Sequence, residues 1–64
     1  MAETRFSIED KFNECSREVL MRTRVYPRVV AKGQMKQENA DRQIAIMRAI
    51  ADDYQRMLHG ERLL

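Results

Sequence analysis

Two stretches of the chain carry apolar residues at helical spacing. Ile8, Phe12, Cys15, Val19, Arg22, Tyr26 and Val29 recur alternately four and three residues apart, which places them along one stripe of a helix. Arg22 is the one charged member, and a long arginine can bury its methylenes while its head reaches outward. Ala40, Ile44, Met47, Ala51, Tyr54 and Leu58 repeat the same alternation over about three heptads. The pattern predicts helix 1 over about 7–32 and helix 2 over about 36–59, in a single small domain spanning 1–64.

The ends of these stretches carry uneven signals. Ser7 precedes the first stripe residue, with Glu9 and Asp10 just after it, a natural N-cap followed by acids where the helix dipole favours them. Gly33 is suited to the left-handed residue that ends a helix, and Lys32 is well placed for the C-terminal dipole. Helix 2 starts on a poor cap, because Lys36 stands where serine or aspartate is preferred. Gly60 is its expected stop, with "ERLL" fraying beyond it. Pro27 falls inside the first stripe, where it removes a backbone donor and its ring crowds the carbonyl of Thr23, at about 3 kcal/mol. Since Tyr26 and Val29 continue the stripe across it, the reading is a helix bent or interrupted at Pro27. The competing reading is a strand through Val25, Tyr26, Val29 and Val30, which would have no partner strand here.

A few residues around Gly33 cannot carry the chain back to the start of helix 1, so the helices must run antiparallel. The expected fold is all-α, an antiparallel helical hairpin with a proline bend near its tip. One seam does not use up the apolar residues. Leu20 and Met21 on helix 1, and Ile46, Ile50 and Met57 on helix 2, widen the apolar face beyond what one partner helix covers. These five form the expected oligomer interface, and two hairpins pairing into a four-helix bundle is the favoured arrangement.

The 64-residue length sharpens that expectation, because a chain this short buries only about 60% of its unfolded surface. Small domains usually add disulfides, a metal or a partner chain. Cys15 is the only cysteine and His59 the only histidine, so neither an internal disulfide nor a tetrahedral metal site can be assembled. A second chain is left. Neither a signal peptide nor a membrane span is legible in the apolar runs, and the lone thiol suits a reducing compartment, so the expected location is cytoplasmic.

The net charge of +2 conceals an uneven distribution. Residues 1–18 hold three cations and five anions, residues 19–36 five cations and no anion, and residues 37–64 four cations and five anions. Arg24, Arg28 and Lys32 recur every four residues, with Arg22 and Lys36 nearby, so positive charge gathers at the hairpin tip. Such a row can contact phosphates or an acidic partner. A solvated face at a helix C-terminus is the favoured explanation, and no recognition-helix or zinc-finger signature accompanies the row.

Reaction chemistry is not legible. Glu9/Asp10 and Asp52/Asp53 are sequence neighbours pointing about 100° apart on a helix. Cys15 lies on the apolar stripe, where a free thiol serves as a small hydrophobe, and its approach to His59 across the hairpin is remote. With only Gly33 and Gly60, no phosphate-cradling loop exists. No catalytic residue, cofactor, metal or small-molecule substrate is expected.

The segment from Val19 to Tyr54, chiefly "MRTRVYPR" and "ADRQIAIMRAIADDY", resembles a group of short, functionally uncharacterised proteins encoded in bacterial and prophage genomes. The resemblance implies a bacterial, phage-linked setting and no activity, ligand or cofactor; the cap at Lys36 departs from the pattern. The expected function is a non-enzymatic interaction or accessory module that self-associates. The alternatives are a nucleic-acid-binding accessory protein using the basic tip, and a subunit whose bundle is completed by a different protein.

Overall fold

The computed structural model describes residues 5–63, and side chains as far as Glu61. Two helices, α1 (Ile8–Ala31) and α2 (Gln37–Leu63), pack against each other as a hairpin. There is no strand among the described residues, so Val25 to Val30 are helical and the β reading is set aside.

Helix α1 begins with a reciprocal cap. The Ser7 hydroxyl accepts from the Asp10 backbone N–H at 3.0 Å, and the Asp10 carboxylate accepts from the Ser7 N–H at 3.3 Å. Two donors that a helix start leaves unpaired are satisfied in this way. Helix α1 then runs without interruption through Pro27. Both Pro27 and Thr23, whose carbonyl loses its usual donor, are exposed. The freed carbonyl belongs to an exposed residue, where solvent can stand in for the missing bond, and the Thr23 hydroxyl donates to the Val19 carbonyl at 2.7 Å. The proline is tolerated because it falls off the seam.

At the other end of α1, Gly33 N–H bonds to the Val30 carbonyl at 2.9 Å and Gln34 N–H to the Val29 carbonyl at 3.1 Å. This nested pair closes the helix and requires a left-handed residue at Gly33, which has φ +76°. A Cβ there would meet open space, so Gly33→Ala isolates the backbone penalty. We expect it to destabilise the hairpin by about 1–2 kcal/mol, read as a fall of several degrees in the thermal midpoint at fixed protein concentration.

Helix α2 starts where the pattern placed it. Lys36 contributes only its carbonyl, accepting from Asn39 and Ala40 N–H. Its end differs from expectation: the helix continues through Gly60 to Leu63, and Leu64 lies outside the described residues. A glycine stops a helix by adopting positive φ, and Gly60 does not. As an ordinary helical residue it costs about 1 kcal/mol relative to alanine, which the helix absorbs.

All thirteen predicted stripe residues lie at the seam, half-buried or buried. Among the described residues only Ala40 and Ala51 are buried outright, at 1% and 7% exposure, and no large side chain is fully enclosed. Small residues let the helices approach, while the larger seam side chains flank them with one side still open. The two helices lie side by side as a single layer.

Candidate interaction surface

A groove along the hairpin fixes the register and the sides of the seam. Phe12, Ser16 and Val19 of α1 line it together with Gln55, Ala51 and Arg48 of α2, so numbers summing to about 67 lie at the same height. Leu20 borders the same groove and is 66% exposed.

The opposite broad face carries the other exposed apolar residues of the two helices. At about 100° per residue, Met21 and Val25 turn away from the α1 seam on the side opposite Leu20. Ile46, Ile50 and Met57 turn from the α2 seam on the side opposite Arg48 and Gln55. Residues flanking one groove from both helices define one face, so these five share the other. Their exposures run from 37% for Val25 and Ile50 to 53% for Met57. Met21 and Ile46 stand at the same height, about halfway along the hairpin. Four of the five expected interface residues are therefore brought together, and Leu20 is set apart on the groove face. Val25 joins them. The signal for Val25 in the sequence is its spacing, four residues from Met21 and so on the same side of the helix.

Near the middle of this face sits a polar cluster. Arg22 Nε donates to Glu18 Oε1 at 2.8 Å and its Nη1 donates across the seam to the Gln43 carbonyl at 2.9 Å. The guanidinium carbon is 5.9 Å from the Tyr26 ring centroid, a cation–π distance, and the Tyr26 hydroxyl donates to Gln43 Oε1 at 3.4 Å. Arg22 thus joins the two helices, and it differs in kind from the other cations named with it. Arg24, Arg28, Lys32 and Lys36 are exposed and make no ion pair among the described residues. They ring the tip.

The acids gather elsewhere. Glu14 pairs with Arg17 at 3.5 Å and Asp53 with Arg56, both exposed pairs toward the open end of the hairpin. Cys15 is half-buried on the seam. Register puts it beside Asp52 and leaves exposed His59 about 10 Å further along, so the two do not form a nucleophile and base. No group of three or more His, Cys, Asp or Glu among the described residues could hold a metal ion, and no described helix is long and apolar enough to cross a membrane. Comparison with protein-family models, curated proteins and solved structures finds no match, so the reading of this face rests on its own geometry.

Proposed function

We propose that the chain is a small non-enzymatic interaction module, acting in the cytoplasm, whose hairpins associate in pairs into a four-helix bundle. One observation carries this reading. Met21, Val25, Ile46, Ile50 and Met57 stand together on one broad face of the single hairpin and stay 37% to 53% exposed, a contiguous apolar surface of the kind that marks an interaction site.

The physical reason is the thin core. With two alanines as the only enclosed side chains among the described residues, a single hairpin gains little from burial against the entropy of ordering its chain. A second layer would enclose Met21, Ile46 and Ile50, and would also cover the open sides of seam residues such as Tyr54 and Met47. Sedimentation equilibrium across a concentration series tests this. The expected result is a dimer mass at tens of micromolar, with helical circular dichroism falling as dilution releases monomer. A folded monomer persisting down to low micromolar would overturn the reading.

The basic tip offers a second reading, contact with nucleic-acid phosphates, favoured by the exposure of Arg24, Arg28, Lys32 and Lys36 with no ion-pair partner among the described residues. The apolar face is no part of that reading.

A further inference from the structure

We infer that the second copy lies end for end on the Met21–Ile46–Ile50 face, so that the basic tip of each hairpin meets the acidic open end of the other. This orientation rests on the self-association proposed above, and adds to it which face pairs and in which direction.

Position is the first argument. A two-fold axis in the plane of the face can run along the hairpin, bringing both tips together, or across it, placing them at opposite ends. The apolar residues straddle the middle of the hairpin: Met21 and Ile46 lie about 13 residues from the tip and Ile50 about 17, in a hairpin roughly 26 residues long. An axis crossing there overlaps the two copies along nearly their full length. It sets Ile46 of one copy against Ile50 of the other, with Met21 beside the axis.

Charge chooses between the two directions. From Arg22 to Arg42 the chain holds six cations and two anions, and the remainder holds six cations and eight anions. The asymmetry is sharpest on α1 itself, whose acids, Glu9, Asp10, Glu14 and Glu18, all precede Arg22, and whose later charges are all positive. Crossed end for end, α1 lies antiparallel over the second copy's α1. Arg28 then falls at the height of the other copy's Asp10, and Arg24 at that of Glu14. Tips placed together would bring two clusters of net +4 into contact, and like-charge juxtaposition is strongly disfavoured.

The test measures the distance between tips. A Cys15→Ser, Gln34→Cys chain labelled with a nitroxide should give a dipolar distance of about 40 Å in the dimer, set by twice the axis-to-tip rise. A dimer whose tips lie within about 20 Å would overturn the end-for-end arrangement and leave self-association standing. A monomer with no dipolar coupling would overturn self-association itself, and a monomer that instead binds a labelled oligonucleotide through the tip would assign those cations to phosphate. A second measurement does not depend on Cys15. Arg24→Glu should weaken the dimer about tenfold at low salt, and adding Glu14→Lys should recover most of the loss; a dimer indifferent to both changes would also overturn the orientation.

Discussion

Ile46→Glu is expected to raise the dissociation constant of the dimer about a thousandfold, while Leu20→Glu leaves it within a few-fold of the parent. Ile46 is 45% exposed in the single hairpin, so within one copy the change removes little packing. In the paired state the same side chain lies against the second copy. The variant forfeits roughly half of an isoleucine's burial, about 1 kcal/mol, and forces a carboxylate into a desolvated surface at a further cost of a kcal/mol or more. Two-fold symmetry makes each change occur twice. The total is on the order of 4 kcal/mol, three decades in affinity. Leu20 is more exposed still, at 66%, but it faces the groove on the opposite side. Composition and hydropathy treat the two substitutions alike; only the geometry separates them. Sedimentation equilibrium on both variants, with circular dichroism at matched concentrations, reads the difference. Equal effects would mean that the face assignment is wrong, and no effect from either would mean that these faces do not pair.

Much of the fold was legible because burial at a helix seam imposes the four–three alternation directly on residue type. Every stripe position from Ile8 to Val29 and from Ala40 to Leu58 lies at the seam for that reason. The turn was equally legible, since Gly33 is needed for its positive φ. Pro27 and Gly60 were harder. Each disfavours a helix by a local rule, and each is overridden by context: Pro27 releases the carbonyl of an exposed residue, and Gly60 adopts ordinary helical φ. The candidate face was read only in part. Spacing identifies surplus apolar residues, but whether Leu20 and Met21 share a face depends on the seam direction and the handedness of both helices, which neighbours in sequence do not reveal. The partner of Arg22 was not legible at all, because a contact with the Gln43 carbonyl follows from the inter-helix register.

That contact makes Arg22→Ala the largest expected loss of stability within the hairpin, about 2 kcal/mol, or about 10 °C in the thermal midpoint for a chain of this size. Three interactions go at once. The i,i+4 pair with Glu18 is partly exposed, with side-chain exposures of 21% and 36%, and contributes only about 0.3–0.5 kcal/mol. The bond from Nη1 to the Gln43 carbonyl is charge-assisted and joins the helices, so it carries more, about 1.5 kcal/mol. The remainder is the methylene stem packed on the seam and the guanidinium near the Tyr26 ring. Two further substitutions divide these contributions. Arg22→Met keeps the stem and should restore the packing share alone. Arg22→Lys keeps the charge, but one ammonium lacks the planar fork that reaches Glu18 and Gln43 together, so it should recover less than half. Because dimerisation adds to apparent stability by mass action, the unfolding curves must be compared at one protein concentration. A loss below about 0.5 kcal/mol for Arg22→Ala would show that the cluster merely occupies the seam. A loss restored fully by methionine would assign its role to packing. The expected ranking, arginine well above methionine and lysine, would mean that the register of the hairpin, and with it the alignment of Met21 with Ile46, is held by a charged side chain satisfied within its own copy. Such a group can be covered by a second copy at less cost than an unpaired charge.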